Sequence, residues 1–272
     1  MNEIVFIGGG NMARALIGGL LAKGRGANQF LAIDPSETAR AQLEQATGAV
    51  TAAALDDRIR QAQVLVLAVK PQQMRVAAKA LAPFLGDQLV LTIAAGIRVP
   101  DLARWLGGYR RIVRAMPNTP ALVNAGISGL FADSAVDAAG RATAEAVLAA
   151  VGEVLWFEAE AQLDVVTAVS GSGPAYVFYF LEHLERAAQE LGLAPEAARR
   201  LAQATFRGAV HLAETSRVDA ATLRQQVTSK GGTTERALAT LDAENVALHF
   251  RRAVAAAAQR GREMGEAFGV ED

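Results

Sequence analysis

An α/β fold followed by an all-helical region is the architecture this sequence predicts, and three observations carry it. Short, uninterrupted apolar runs alternate with helix-period segments through the first half of the chain. A glycine-rich turn joins the first run to the first helical segment. Strand signals then stop near residue 161, and the remainder reads as helix. Continuous apolar strands separated by helices indicate a doubly wound, mainly parallel sheet covered on both faces. The expected division of the 272 residues is an α/β domain over 1–160 and an all-α domain over 161–272.

The elements follow in order. Ile4–Ile7 is a short apolar run ending in Gly8-Gly9-Gly10, and Met12, Leu16, Leu20 and Leu21 then recur at near-helical spacing. Phe30–Ile33 reads as the second strand. Asp34-Pro35-Ser36-Glu37 reads as a helix start, with Asp34 as N-cap, Pro35 at N1 and Glu37 at N3. Val64–Val69 is the third strand, stopped by Lys70-Pro71. Leu89–Ala94 is the fourth, stopped by Gly96, and Arg111–Ala115 the fifth, stopped by Pro117 and Pro120. Helical stretches lie near Gln72–Leu81 and Pro100–Leu106. Ala125–Phe131 and Val154–Phe157 are further strands, expected at the far edge of the sheet, flanking a helix near Ala138–Val151.

The C-terminal region reads as helices over Leu163–Leu191, Pro195–Thr215, Ala220–Thr228, Thr234–Leu241 and Ala243–Phe268. Ser170-Gly171-Ser172-Gly173-Pro174 lies inside the first. A proline there removes a hydrogen bond and clashes with the preceding turn, so a kink or break is expected.

Composition narrows the function classes. Half the residues are hydrophobic (51%), which excludes a mainly disordered chain. The net charge is −1, from 27 basic and 28 acidic residues, so neither nucleic acid nor an anionic membrane surface is an expected partner. The absence of cysteine removes disulfides, thiolate nucleophiles and zinc–thiolate sites, and fits a reducing cytoplasm. No apolar run approaches the roughly 18 residues of a membrane span. The start, Met1-Asn2-Glu3-Ile4, has no basic flank and shows no secretory signal. His183, His211 and His249 lie far apart in helical stretches, and no metal-ligand spacing is present. Neither a P-loop nor a nucleophile elbow occurs.

Gly8-Gly9-Gly10-Asn11-Met12-Ala13 fits G-x-G-x-x-A directly after a strand and opening a helix. The first glycine permits the tight turn, the second lets a pyrophosphate approach the backbone, and the small last residue lets helix and strand pack closely. A dinucleotide held by its pyrophosphate is the ligand this context implies, NADH or NADPH being the forms that Asp34 would tell apart, and an ordinary glycine-rich turn is the alternative. Asp34 ends the second strand, 24 residues after Gly10. An acid there suits the ribose hydroxyls of NAD and repels the 2′-phosphate of NADP, yet Asp34 is equally a good helix cap. Ser36 and Arg40 lie close enough to receive a 2′-phosphate. Lys70-Pro71 and Met116-Pro117-Asn118-Thr119-Pro120 follow strands, where open α/β sheets bind ligands. Thr228-Ser229-Lys230-Gly231-Gly232-Thr233-Thr234 offers serial backbone N–H groups and hydroxyls suited to a carboxylate or phosphate, or simply a capped interhelical turn.

Together these motifs resemble the pyrroline-5-carboxylate reductase family. The matching runs are Phe6 to Met12, Ala68-Val69-Lys70-Pro71, Ala94-Ala95-Gly96-Ile97, Arg114 to Pro120, Asp164 to Thr167 with Ser170 to Tyr176, and Gly231-Gly232-Thr233-Thr234 with Ala237-Leu238. They span nearly the whole chain in order. The glycine fingerprint is common to many dehydrogenases. The Met-Pro-Asn-Thr-Pro and Ser-Gly-Ser-Gly-Pro-Ala-Tyr runs are far more specific.

The resemblance implies a Rossmann domain followed by a helical substrate-binding and dimerisation domain, a homodimer that can build larger rings, and reduction of (S)-1-pyrroline-5-carboxylate to L-proline with NAD(P)H. Ile7, Gly8, Gly9, Gly10, Asn11 and Met12 would hold the pyrophosphate, with Asp34 beside the ribose. Ala68, Val69, Lys70, Pro71, Ala95, Gly96 and Asn118 would approach the ribose and nicotinamide. Ser229, Gly231, Gly232, Thr233 and Thr234 would hold the substrate carboxylate, partly from the partner subunit, with Thr234 as proton donor. Glu160 matches a further position near the site. Lys230 departs from the family, which usually has proline there, and Asp34 departs from the neutral or basic surroundings that suit NADP. A 3-hydroxyacid-type dehydrogenase would need a lysine in Leu163–Leu191, which has none. A related cyclic-imine reductase would share the same motifs, and a non-catalytic dinucleotide sensor would share the glycine loop.

Overall fold

A computed structural model of the chain describes residues 3–270, so Met1 and Asn2 of the N-terminal reading lie outside the described residues. In chain order the elements of the α/β part are β1 (Ile4–Ile7), α1 (Asn11–Ala22), β2 (Phe30–Ile33), α2 (Glu37–Thr47), β3 (Val50–Ala52), β4 (Val64–Leu67), α3 (Pro71–Leu81), β5 (Leu89–Thr92), α4 (Val99–Trp105), β6 (Ile112–Met116), β7 (Gly126–Ala132), α5 (Ala138–Leu148) and β8 (Gly152–Trp156). The helical remainder comprises α6 (Gln162–Val166), α7 (Gly173–Glu190), α8 (Pro195–Ser216), α9 (Ala220–Gln226), α10 (Thr233–Ala243) and α11 (Val246–Gly269).

The eight strands form one sheet in the order β3-β2-β1-β4-β5-β6-β7-β8. Every pairing is parallel except β6 with β7. All residues of β1, β2, β4 and β5 are buried, as continuous apolar runs require when helices cover both faces. On one face Ile4, Phe6, Phe30, Val64 and Val66 pack against Leu16, Ile17 and Leu20 of α1 and Val147 and Leu148 of α5. On the other, Val5, Ile7, Leu31, Leu65 and Leu67 pack against Met74, Ala78 and Leu81 of α3 and Leu102 and Trp105 of α4. β7 and β8 lie at the far end, as expected.

Three sequence expectations change. Strand β3 was not anticipated: Val50-Thr51-Ala52 has one strong hydrophobe, and it is a strand because β2 lies beside it, Leu31 opposite Val50. Asp34 does not cap α2. Ser36 does, its hydroxyl accepting from Ala39 N–H at 3.3 Å, and the helix starts at Glu37. The run Val64–Val69 stops being strand at Leu67, because Ala68 turns away into the loop before α3.

The helical run Leu163–Leu191 is broken where expected. Between α6 and α7 lies a π-helical turn, Thr167–Gly171, in which Ser172 N–H donates to Thr167 O at 2.8 Å. The wider turn lets α7 restart at Gly173, so Pro174 falls in its first turn, where a missing N–H costs nothing. Gly171 passes close to Met116: a Cβ would lie 2.5 Å from its Cε, so that flexible side chain would have to move aside.

Compact packing divides the chain into two units. One comprises the residues up to Ser172 together with those from Ala257 onward, and the other is Gly173–Ala256. The end of the strands near residue 160 is therefore not where packing divides. Val166 of α6 lies against Gly129 of β7, and Met264 and Phe268 of α11 lie against Gly96. In the second unit α7 and α8 are joined through Gly192 at φ +99°, and Phe250 packs edge-on against Tyr176 and Phe180.

Candidate active site

Strand β1 has β2 on one side and β4 on the other, and the connecting helices leave toward opposite faces. This is the point at which an open α/β sheet forms a crevice beyond the carboxyl ends of its strands. Gly8 sits at its base. Its φ is +106°, and a Cβ would lie 2.8 Å from both the carbonyl carbon and oxygen of Ala68. Ala68 N–H in turn donates to Ile7 O at 2.8 Å. The loop after β1 thus lies directly on the loop after β4, and only glycine fits between them.

Gly10 is the N-cap of α1, and a Cβ on it would meet open space. No side chain caps this helix end, and no acid stands in its first turn. Its N–H groups and the positive end of the helix dipole therefore face outward, as a pyrophosphate requires. Asn11 and Met12 open the helix; Asn11 Oδ1 accepts from Arg14, whose other terminal nitrogen reaches Gln42 at 3.2 Å. The open cradle at Gly10 and the closed contact at Gly8 fit a dinucleotide.

Asp34 follows β2. Its Oδ2 accepts from Gly9 N–H and its Oδ1 from Ser36 N–H, both at 2.8 Å. Arg40 donates to the carbonyls of Asp34 and Pro35 at 2.8 and 3.0 Å.

The remaining expected cofactor residues follow successive parallel strands and so share one edge of the sheet. Ala68, Val69, Lys70 and Pro71 lie between β4 and the start of α3, with Lys70 exposed at its N-cap. Ala95 and Gly96 follow β5, Gly96 at φ +75°. Asn118 follows β6 and is buried. Its Oδ1 accepts from Ile127 N–H at 3.0 Å, which commits one half of the amide to holding β7 in place.

Ser229, Gly231, Gly232, Thr233 and Thr234 form one exposed or half-buried turn that opens α10 in the second unit. Gly231 has φ +73°, and Gly232 N–H donates to Ser229 O at 3.0 Å. The sequence reading did not include Glu235, whose Oε2 accepts from Gly231 N–H at 2.7 Å. Its position three residues past the N-cap Gly232 was the available signal.

It also missed a buried ion cluster. Arg114 on β6 is 2% exposed and donates to Glu160 at 3.0 Å and to Asp164 at 3.4 Å. Glu160 Oε1 also accepts from Val99 N–H, the first residue of α4, at 2.7 Å. Glu160, expected near the site, therefore ties β6 and α4 together. An arginine inside a buried strand was the signal. Among the described residues no group of three or more His, Asp or Glu side chains is arranged to hold a metal ion.

Comparison with known proteins bears on this geometry. The family described as pyrroline-5-carboxylate reductase dimerisation matches residues 160–264, and that described as NADP oxidoreductase, coenzyme F420-dependent, matches residues 3–96. The pyrroline-5-carboxylate reductase of Pseudomonas aeruginosa is 46% identical over 98% of each chain. That of Haemophilus influenzae is 41% identical over 97% of this chain and 98% of its own. Among solved structures, a pyrroline-5-carboxylate reductase from Coxiella burnetii is 41% identical with a TM-score of 0.88, covering 97% of this chain and 98% of the other. A pyrroline carboxylate reductase from Plasmodium falciparum, with NADP bound, is 27% identical over the same shares, with a TM-score of 0.87. A prephenate dehydrogenase from Aquifex aeolicus, 17% identical with a TM-score of 0.53 over 79% of this chain and 91% of its own, shares the fold alone.

Proposed function

Because the chain belongs to the pyrroline-5-carboxylate reductase family, we propose how its residues divide the work of that reaction. The reaction is reduction of (S)-1-pyrroline-5-carboxylate to L-proline with NAD(P)H. The observation that carries the proposal is the Gly8–Ala68 contact at the crevice, beside a helix end left open at Gly10.

Ile7 to Met12 form the pyrophosphate loop, in which the N–H groups of Gly10, Asn11 and Met12 face the phosphates, because Gly8 N–H donates to Ile33 O and Gly9 N–H to Asp34; Asp34 takes the ribose. Ala68 to Pro71, Ala95, Gly96 and Asn118 bound the nicotinamide end. When bound, NAD(P)H supplies the hydride that reduces C5 of the C=N bond. Ser229 and the N–H groups of Thr233 and Thr234 hold the substrate carboxylate at the N-terminus of α10, while Gly231 and Gly232 shape the turn, their own N–H groups held by Glu235 and Ser229. The Thr234 hydroxyl stands at the ring nitrogen and keeps a proton there, because a protonated C=N accepts hydride more readily than a neutral one. The electron pair of the C=N π bond ends on that nitrogen, giving the secondary amine. Positioning and electrostatics supply the acceleration, and no histidine base is needed.

The family segment over 160–264 is a dimerisation segment. We take the assembly to be a homodimer, able to build rings, whose turn at 229–234 completes the partner's site. Two features support this. In the second unit the buried hydrophobic side chains among the described residues are Ala198 and Ala202, while Phe178, Leu201, Val210 and Leu212 are more than half exposed. In the first unit, Ile127, Leu155, Phe157, Val165, Val166 and Val169 line an open apolar cleft of about 330 Å³. No helix is long and apolar enough to cross a membrane among the described residues, and we place the enzyme in the cytoplasm.

The test follows nicotinamide absorbance with pyrroline-5-carboxylate as substrate. Thr234→Ala should lower kcat about 10²-fold while dinucleotide binding is kept. Wild-type turnover in that variant would remove Thr234 from the mechanism.

A further inference from the structure

We propose that Asp34 makes this chain select NAD(H) over NADP(H), through a carboxylate that the fold fixes against the glycine loop. The inference rests on the dinucleotide site proposed above and adds its cofactor preference.

The sequence left two roles open for Asp34, ribose acceptor or helix cap. The cap role belongs to Ser36. Asp34 is instead pinned by two backbone donors, Gly9 N–H on Oδ2 and Ser36 N–H on Oδ1, each at 2.8 Å. Gly9 is in the loop that carries the pyrophosphate function. A carboxylate oxygen has two lone-pair directions, so each still accepts one more donor. Two fixed acceptors side by side, at the end of β2 and next to the glycine loop, suit the two adjacent hydroxyls of a ribose. They present a negative charge to a 2′-phosphate, which carries no donor at neutral pH.

The cations nearby that would welcome a phosphate already have partners. Arg40 Nη1 is held on the carbonyls of Asp34 and Pro35. The Ser36 hydroxyl accepts from Ala39 N–H and keeps its own O–H, a single neutral donor that does not offset the Asp34 charge. Arg14 bridges Asn11 and Gln42. Arg40 would receive a phosphate only beside the Asp34 carboxylate, and the acid Glu37 begins the same helix. Specificity here comes from a repulsive element as much as from an attractive one. The relative from Plasmodium falciparum holds NADP, so this chain is expected to differ from it in preference while sharing its fold.

The test measures binding of NAD⁺ and NADP⁺ to the intact protein by titration calorimetry, for the wild type and for Asp34→Asn. That variant keeps the shape and one oxygen acceptor but removes the charge. Wild-type protein should bind NAD⁺ at least about tenfold tighter than NADP⁺, and Asp34→Asn should cut that ratio about tenfold or more, the scale of one close like-charge pair near a protein surface. Asp34→Ser, which keeps a short acceptor for Gly9 N–H, should move the ratio in the same direction. Equal or tighter binding of NADP⁺ by the wild type, or an unchanged ratio in both variants, overturns the proposal. Reduction of pyrroline-5-carboxylate at the wild-type level with either cofactor would still stand in that case, so the two readings fail separately. Failure of the wild type to bind either dinucleotide overturns both.

Discussion

Replacing Arg114 by methionine tests whether the buried ion cluster holds the first unit together. Arg114 is 2% exposed, and Asp164 and Glu160 face it at 3.4 and 3.0 Å with side chains 8% and 18% exposed. One cation serves two carboxylates, so its removal leaves two acids in a site almost closed to water. Breaking a buried pair by removing one partner costs about 3–5 kcal/mol, because the remaining charge is uncompensated. Glu160 keeps Val99 N–H at 2.7 Å, and that partly offsets the loss. Among the described residues the Asp164 carboxylate has no comparable relief. Arg114→Met should therefore lower unfolding free energy by about 4 kcal/mol, with methionine filling much of the space and little cavity cost. The assay is urea-induced unfolding at a single protein concentration, because assembly makes apparent stability concentration-dependent. The triple variant Arg114→Met, Glu160→Gln, Asp164→Asn should recover much of the loss. It buries no charge, and the amide that replaces the Glu160 carboxylate can still accept from Val99 N–H through its oxygen. Arg114→Met within about 1 kcal/mol of wild type, or a triple variant no better than the single one, would refute the argument.

Two further outcomes follow from single residues. Gly8→Ala places a Cβ 2.8 Å from the Ala68 carbonyl at a φ of +106°, so β1 and β4 must part at the crevice. Dinucleotide affinity should fall by at least about tenfold, with a loss of stability of at least about 1 kcal/mol, and calorimetric titration beside thermal unfolding checks both. Tyr109 donates its hydroxyl to Gln88 O, and burial pushes its phenol up, with Arg111 opposing and Asp87 adding to the effect. Its raised pKa means the neutral phenol is favoured in the folded chain. The stability it lends is complete below the unfolded value of about 10 and is lost as pH rises through the folded value. Phenolate absorbance should show a component titrating above pH about 10 that Tyr109→Phe removes, and an unchanged curve would exclude it.

Much of the fold was legible because it is written locally. Val5, Leu31 and Leu65 lie in runs with no polar interruption, and such runs fit a strand covered on both sides. The break at Pro174 was legible because proline lacks an N–H, although the π turn over Thr167–Gly171 that absorbs it was not. Strand β3 was not legible, since its three residues gain strand geometry from β2 rather than from their own pattern. At the site, the glycine loop and the turn at Ser229 to Thr234 stood out because positive φ angles and serial N–H groups leave a glycine signature. Glu235 and the Arg114 cluster carry no such signature, because an acid on a helix or an arginine in a strand has many uses.

By itself the sequence determined the alternation of strand and helix and the glycine turn at Gly8 to Gly10. Both rest on interactions between residues a few positions apart, where periodicity and backbone sterics decide. Tertiary structure alone decided what Asp34 does. As an N-cap it would have bonded within its own helix, but Gly9, 25 residues away, supplies a fixed N–H at 2.8 Å. It also decided that Glu160 closes an ion cluster with Arg114, 46 residues earlier, and that the chain divides at Ser172 rather than where its strands end. Such pairings depend on which distant segments the fold brings within a few ångströms, and a polar side chain satisfies whichever partner arrives there.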